Sequence, residues 1–175
     1  MSMALKVENL SKTFPVGHTL LGREKPGVRA VRPLSFQVET GQTLGVVGES
    51  GCGKSTLARG VLNLIPPTGG SVAWLGRDIT GAEKSRMRAL RKELQIVFQD
   101  PLASLDPRMT IGASVAEPLQ VHRPDLSRKG REEVVREMLV KVGLDPNMIN
   151  RYPHELSGGQ NQRVGIARAM IMEPK

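Results

Sequence analysis

The residues with the clearest potential for chemistry form a glycine-rich stretch, residues 48–55, which reads Gly-Glu-Ser-Gly-Cys-Gly-Lys-Ser. It matches the pattern G-x-x-x-x-G-K-[ST] at every position, and such glycines let backbone N–H groups point inward around an anion. Lys54 is placed to reach the β and γ phosphates of a nucleotide, Ser55 to ligate Mg²⁺, and Thr56 to contact the α phosphate. The stretch predicts a phosphate-binding loop made of Gly48, Ser50, Gly51, Cys52, Gly53, Lys54, Ser55 and Thr56.

The surroundings of this stretch favour a phosphate loop over a flexible glycine turn. An apolar run at residues 43–47 precedes it, and an amphipathic pattern at residues 54–64 follows it. Strand, loop and helix in this order are the setting that the motif requires. Cys52 has no histidine near it in sequence and glycines on both sides, which favours a spacer over a catalytic thiol. The motif alone leaves kinases, GTPases and helicases open.

A second stretch, residues 156–160, has related chemistry. Its sequence, Leu-Ser-Gly-Gly-Gln, places a hydroxyl and two bare glycines at the start of a predicted helix that reaches about Met172. That arrangement suits contact with an anion, although an ordinary N-cap followed by a glycine turn would look the same in isolation. Gln99 lies between the two motifs and follows an apolar run at residues 94–98 that is predicted to be a strand.

The elements that position these residues alternate between strands and helices. Residues 5–10 and 30–38 predict a hairpin with a long loop, and residues 71–75 predict a further strand. Residues 111–121 and 127–142 predict helices, the second with Ser127 as N-cap and Gly143 just past its end. The sequence therefore predicts an α/β fold with a helical insert after residue 100.

The composition bounds the class of protein. The chain has 175 residues, 39% of them hydrophobic and 24% charged, which fits one ordinary soluble domain. It contains no run of 18 apolar residues, its start lacks the apolar region of a signal peptide, and its single cysteine agrees with a reducing compartment. These features predict a cytoplasmic protein.

The chain is basic, with 25 Lys+Arg against 17 Asp+Glu and a net charge of +8. Such a charge suits nucleic acid, an anionic membrane face or another polyanion, and does not choose among them. The densest run, residues 84–92, has Met87 and Leu90 three positions apart. That spacing favours a solvated amphipathic helix over an anion-binding patch.

The order of the phosphate loop, Gln99 and residues 156–160 resembles that of the ATPase subunits of ABC transporters, and the resemblance covers the whole chain. It implies that ATP and Mg²⁺ are bound and that Phe14 stacks on adenine. It also implies that Gln99 acts as a catalytic residue that touches Mg²⁺ or the attacking water. Residues of the second stretch would bind the γ phosphate held by an opposing subunit; they are Ser157, Gly158, Gly159 and Gln160.

Three segments are similar to the oligopeptide and dipeptide importer ATPases, whose relatives move nickel or glutathione: residues 98–110, 116–119 and 151–157. The resemblance implies ATP-driven import of a peptide-like solute at the inner face of the cell membrane. The implied partners are a second nucleotide-binding subunit, a pair of integral membrane permease subunits contacted by residues 100–110, and indirectly a solute-binding protein, with no nucleic acid expected. Asn161 departs from the Gln or Arg that the family more usually has directly after the stretch at residues 156–160, its signature motif.

The family pattern continues past Lys175 with an apolar strand ending in Asp-Glu, the Walker B strand, and a switch histidine. The resemblance therefore implies an incomplete nucleotide-binding domain, truncated before that strand, in which this chain alone is catalytically incomplete. A β subdomain and phosphate-loop core would span residues 1–99, a helical subdomain residues 100–160, and a return to the core residues 161–175. The alternatives are a soluble ABC ATPase acting on nucleic acid or ribosomes, and a nucleotide-binding fragment without turnover.

Overall fold

The computed structural model describes residues 2–15, 27–100 and 104–174. It divides the chain into two compact units, an N-terminal unit of residues 1–87 and a C-terminal unit of residues 88–175. The predicted subdomain boundaries near residues 99 and 160 stay a prediction. Each unit holds one of the two glycine motifs, residues 48–55 in the first and residues 156–160 in the second.

The N-terminal unit is built on a four-stranded antiparallel sheet in the order β2-β1-β3-β4. Its strands are β1 (Met3–Phe14), β2 (Val28–Glu39), β3 (Gly69–Trp74) and β4 (Arg77–Asp78). β1 and β2 pair with each other, which confirms the predicted hairpin, while the connecting residues 16–26 lie outside the described part of the chain. Val7 and Leu10 of β1 and Val72 of β3 are buried and form the core under the sheet.

Helix α1 (Lys54–Val61) follows the phosphate loop and packs against this sheet. Its buried residues are Leu57 and Gly60, and a Cβ at Gly60 would lie 3.7 Å from Cδ2 of Leu10. The helix ends at Val61, earlier than the predicted end at residue 64. Asn63 has a positive φ of 51°, which an α-helix cannot continue through.

Two predicted strands, at residues 43–47 and 94–98, are wrong as strands. Within the described ranges, neither segment forms a helix or pairs with a neighbouring strand. The residues of the first segment are exposed, Val47 to 92%. An extended segment becomes a strand only where ladder hydrogen bonds form with a neighbour. Neither segment has such a neighbour among the described residues.

The C-terminal unit is helical. Its helices are α3 (Ile111–His122), α4 (Arg128–Lys141) and α5 (Gly158–Met170), with 3-10 turns at Pro146–Asn150 and Pro153–Glu155, and α2 (Lys84–Leu90) spans the point where the two units join in sequence. The core is formed by apolar residues of these elements and of the segments next to them: Leu105, Ile111, Val115, Ala116, Leu119, Val135, Met138, Leu139, Leu144, Ile149, Leu156, Val164, Ala167 and Ile171.

The residues predicted to begin and end α4 act as predicted. The Ser127 hydroxyl accepts a hydrogen bond of 3.1 Å from the Gly130 N–H, which satisfies one of the free donors in the first turn. Gly143 has a φ of +73° one residue past the C-cap Val142, the left-handed conformation that ends many helices.

Among the residues that the structure describes, none of the helices has both the length and the apolar character needed to cross a membrane.

Candidate functional site

The phosphate loop lies in the N-terminal unit between residues 43–47 and helix α1. Gly53, the N-cap of α1, has a φ of +103°, and a Cβ at this position would collide with the carbonyl oxygen of Ala30 on β2. Both the left-handed backbone and the close approach of β2 therefore require glycine here. The loop is seated against the sheet at this point.

Lys54 closes the loop. Its Nζ donates hydrogen bonds of 2.7 Å to the carbonyl oxygens of Gly48 and Glu49. The start of α1 has no side-chain cap and no acidic residue in its first turn. An uncapped helix N-terminus carries a partial positive charge, so the loop combines a cation with free N–H donors, the arrangement that binds phosphate.

A cavity of about 370 Å³ opens beside this loop. Its volume falls in the range of small-molecule sites, about 300–1,000 Å³. Arg29 and Arg32 of β2 also line this cavity and add positive charge to it. The remaining lining residues are Ala30, Val31, Pro33, Leu34, Val46, Val47, Cys52, Gly53, Lys54 and Leu57.

The other loop residues differ in exposure. Gly48, Ser50, Gly51, Cys52 and Ser55 are exposed. The Cys52 Sγ lies 3.7 Å from Nζ of Lys54. Thr56, which the sequence places near the α phosphate, is half-buried and lines a small cavity on the sheet side of α1 with Leu10 and Gly60.

Phe14 ends β1 with its ring 40% exposed. The Lys12 ammonium lies 5.0 Å from the ring centroid and also donates a 2.7 Å hydrogen bond to the Pro66 carbonyl oxygen. The pair is within cation–π distance. Sequence reasoning missed Lys12, although its position two residues before Phe14 in a strand is the signal that could have found it.

The signature loop, residues 156–160, lies in the C-terminal unit at the start of α5. Ser157 is the N-cap: its Oγ accepts from the Gln160 N–H at 3.3 Å, and the Gln160 Oε1 accepts from the Ser157 N–H at 2.9 Å. Gly158 and Gly159 have no positive φ, and a Cβ on either would meet nothing within 4 Å. Within the described chain, neither backbone conformation nor packing requires glycine at these two positions.

Asn161 follows the signature loop and is buried, with its side-chain amide bound to two backbone carbonyls of the preceding turn. The sequence shows this residue only as a departure from the family pattern. Its burial could not be read from the sequence, because both bonds depend on how residues 153–156 turn back on α5.

Gln99 is exposed and belongs to the C-terminal unit, whereas Ser55 belongs to the N-terminal unit. A hydroxyl and a carboxamide oxygen are hard donors, and Mg²⁺ is commonly held by one or two protein oxygens together with phosphate oxygens and water. The donor types therefore fit a nucleotide-borne magnesium. No group of three or more His, Cys, Asp or Glu residues suited to a metal occurs in the described ranges.

The chain is similar to known proteins over most of its length. The family described as ABC transporter matches residues 31–175. The oligopeptide transport ATP-binding protein OppF of Salmonella typhimurium is 57% identical over 85% of this chain and 44% of its own length. The Haemophilus influenzae protein of that name is 49% identical over 99% of this chain and 53% of its own length. A di/tripeptide transport ATP-binding protein of Pseudomonas aeruginosa, DppF, is 47% identical over 100% and 54%.

Solved structures are similar as well. The dimeric post-hydrolysis structure of the ATP-binding cassette MJ0796, bound to ADP and Pi, matches with a TM-score of 0.84 at 29% identity over 97% of this chain and 70% of that chain. The chain spans about half the length of the curated relatives it matches.

Proposed function

Because the chain belongs to the ABC transporter family, we propose that it forms the ATP-binding part of a transporter subunit that couples ATP binding and hydrolysis to the import of peptide-like solutes. The observation that carries the proposal is Lys54, whose ammonium is held by carbonyl oxygens of its own loop beside an uncapped helix N-terminus. Phosphate oxygens carry more negative charge than carbonyl oxygens, so an incoming nucleotide competes effectively for this lysine.

Each part of the loop has a task in that binding. Lys54 moves from the carbonyls of Gly48 and Glu49 to the β and γ phosphates, and the α1 N–H groups bind the same anion. Magnesium, when bound, neutralises charge on the phosphate oxygens. The Ser55 hydroxyl and the Gln99 carboxamide are the groups that would hold it, and Gln99 would also orient the attacking water.

The glycines of the signature loop support a second subunit as partner. Since nothing within the described chain requires Gly158 or Gly159, we attribute the need for bare backbone to something outside it. The N-terminus of α5, with the Ser157 hydroxyl and Gln160, faces a nucleotide held by an opposing copy in this proposal. The dimeric MJ0796 structure is a precedent for paired cassettes.

The solute class follows from the relatives. Those reported above are named for oligopeptide or di/tripeptide transport, which supports a peptide-like solute and gives no support to a role on nucleic acid or ribosomes. The protein would then act at the inner face of the cell membrane on permease subunits, with residues 100–110 in contact with them, and a solute-binding protein would deliver the peptide.

The first test is the affinity for ATP, measured by titration with a fluorescent ATP analogue with and without magnesium. Lys54→Ala removes two charge-assisted contacts worth about 1.5–3 kcal/mol each, so we expect a loss of at least about 100-fold. Lys129→Ala, an exposed lysine on α4, is the matched control and should bind as the unmodified protein does. Equal affinity of Lys54→Ala and the control would refute the assignment of the loop.

The second test is uptake of a labelled tripeptide mixture by proteoliposomes that contain the protein, extended to the length of its curated relatives, together with candidate permease subunits. ATP-dependent uptake that Lys54→Ala abolishes supports the importer. Intact ATP hydrolysis with no peptide uptake would reject the solute class and leave the ATPase assignment standing.

A further inference from the structure

Asn161 is a buried polar residue in the first turn of α5, directly after the signature loop. Its side chain is 1% exposed. The two N–H groups of its carboxamide donate to the Pro153 carbonyl oxygen at 2.9 Å and to the Leu156 carbonyl oxygen at 3.3 Å. Both acceptors precede Ser157, so this single amide joins α5 to the stretch of chain that leads into the signature loop.

Backbone hydrogen bonds also hold the two segments around Asn161. The Asn161 N–H donates to the Ser157 carbonyl oxygen at 2.9 Å, and the Leu156 N–H donates to the Pro153 carbonyl oxygen at 3.2 Å. On the solvent side, Ser157 and Gln160 exchange their capping bonds. The loop is therefore held from the exposed side by Gln160 and from the buried side by Asn161.

Packing alone does not account for an asparagine at this position. Its Oδ1 is buried and has no hydrogen-bond partner among the described residues. A buried acceptor without a partner costs stability, and an apolar side chain of similar size would fill the space without that cost. What the carboxamide supplies and an apolar residue does not is the pair of donors directed at residues 153 and 156.

We infer that Asn161 is a positioning residue: its buried amide fixes the signature loop in the geometry in which Ser157, Gly158 and Gly159 meet the nucleotide of a second copy. The inference rests on the proposed function for what the loop binds. Without the amide, the loop samples other positions while the phosphate loop, which lies in the other unit, keeps its own affinity for ATP.

The test compares Asn161→Leu, which keeps the branched shape and the number of side-chain heavy atoms but removes the donors, with Asn161→Gln, which keeps a carboxamide. The same change at an exposed site, Asn147→Leu, is the control. Three quantities are measured for each: thermal unfolding, affinity for a fluorescent ATP analogue, and dimerisation with a non-hydrolysable analogue by light scattering. In addition, hydrogen exchange of the backbone N–H groups of Ser157 and Gln160 is measured without nucleotide.

For Asn161→Leu we expect exchange of the two amides to accelerate at least tenfold and the protein concentration for half-maximal dimerisation to rise at least tenfold. The melting temperature should stay within a few degrees of the unmodified protein, and monomer affinity for ATP should be unchanged. Asn161→Gln should recover most of the dimerisation, and Asn147→Leu should match the unmodified protein throughout.

Unchanged amide exchange in Asn161→Leu would overturn the inference whatever the nucleotide assays give. Faster exchange with unchanged dimerisation would overturn it too, because the residue would then be structural only. If the unmodified protein itself fails to dimerise with nucleotide, the proposed pairing fails, and the exchange result still decides whether Asn161 positions the loop.

Discussion

The guanidinium of Arg168 donates a hydrogen bond of 2.7 Å from Nη1 to the carbonyl oxygen of Ser104, 64 residues earlier in the chain. Arg168 lies in the last turn of α5, the helix that begins at the signature loop. Ser104 lies a few residues after Gln99, in the segment that leads into α3. One side chain therefore connects the helix of the signature loop to the segment proposed to contact the permease.

We expect Arg168→Met to lower the free energy of unfolding by about 1.5–3 kcal/mol, the range for a hydrogen bond from a charged donor in a partly buried site. The matched control is Arg163→Met on the same helix, whose bond to the Gly143 carbonyl oxygen is exposed. Its effect should stay within about 0.5 kcal/mol. Urea denaturation measures both, and equal losses in the two variants would contradict a special role for Arg168.

Structural features that depend on residues close together in the sequence agree with the prediction. Ser127 caps its helix through a hydroxyl three residues from the N–H group that it binds, as predicted, and Gly143 takes the left-handed conformation expected after a helix. Ser157 makes the same kind of cap, which the sequence left open beside a contact with an anion. These contacts span a few residues, so residue type and spacing determine them. The antiparallel pairing of β1 and β2 is also as predicted, although it joins residues farther apart in the chain, from Phe14 with Val28 to Met3 with Glu39.

Features that depend on distant neighbours were not predictable in this way. Residues 43–47 have the apolar composition of a buried strand, yet Val47 is 92% exposed, because strand formation depends on a partner that composition does not reveal. The hydrogen bonds from the side-chain amide of Asn161 and from the Arg168 guanidinium each join two segments of the chain. Packing of the helices determines how close these segments come. The contacts of the predicted site residues with nucleotide stay predictions.

Phe14→Ala should weaken ATP binding by about 5- to 150-fold, because stacking of a base on an aromatic ring is worth about 1–3 kcal/mol. Phe14→Trp keeps a stacking surface and should bind ATP nearly as the unmodified protein does. Inorganic triphosphate has no base, so its affinity, measured by competition with a fluorescent ATP analogue, should be the same in all three proteins. A parallel loss of triphosphate affinity in Phe14→Ala would show that the ring acts on the loop and not on adenine.

Ser114→Ala should stabilise the protein by about 1 kcal/mol. The Ser114 hydroxyl is 2% exposed in α3 and has no hydrogen-bond partner among the described residues, so its removal deletes a desolvation cost. Alanine also has the higher helix propensity, worth about 0.5 kcal/mol. Ser85→Ala, at an exposed position of α2, gains helix propensity only. Urea denaturation of both variants therefore separates the gain in propensity from the removed desolvation cost. A gain no larger than that of Ser85→Ala would mean that the Ser114 hydroxyl finds a partner.

His122 should make stability depend on pH. Burial lowers its pKa below the ordinary value of 6.5, and the positive charges of Lys92 and Arg88 lower it further. The unfolded state then binds a proton at a higher pH than the folded state does. Its contribution is fully present above pH 6.5 and is lost as the pH falls through the lower, folded pKa.

We therefore expect His122→Gln to lose less stability than the unmodified protein between pH 7.5 and pH 5.5, measured by urea denaturation at each pH. Asn147→Gln, at an exposed site without a titratable group, is the control, and its pH dependence should follow that of the unmodified protein. The same loss of stability in His122→Gln and in the unmodified protein would show that His122 does not contribute.

Gly158→Leu separates folding from pairing at the signature loop. A Cβ at Gly158 meets nothing within 4 Å and the backbone has no positive φ, so a leucine should leave the monomer as stable as before or more stable, by up to about 1 kcal/mol. The same side chain projects into the space proposed for the nucleotide of the opposing copy. Dimerisation with a non-hydrolysable ATP analogue, followed by light scattering, should therefore be lost while the affinity of the monomer for ATP stays unchanged.

Lys129→Leu places a leucine in the first turn of α4 and controls for an added apolar side chain at an exposed helix start. It should dimerise as the unmodified protein does. If Gly158→Leu also dimerises at the same analogue concentration, the space in front of α5 is not the place where a second copy and its nucleotide bind. A lower melting temperature of Gly158→Leu would instead mean that the glycine serves the fold of the monomer, contrary to the open surroundings of its Cα.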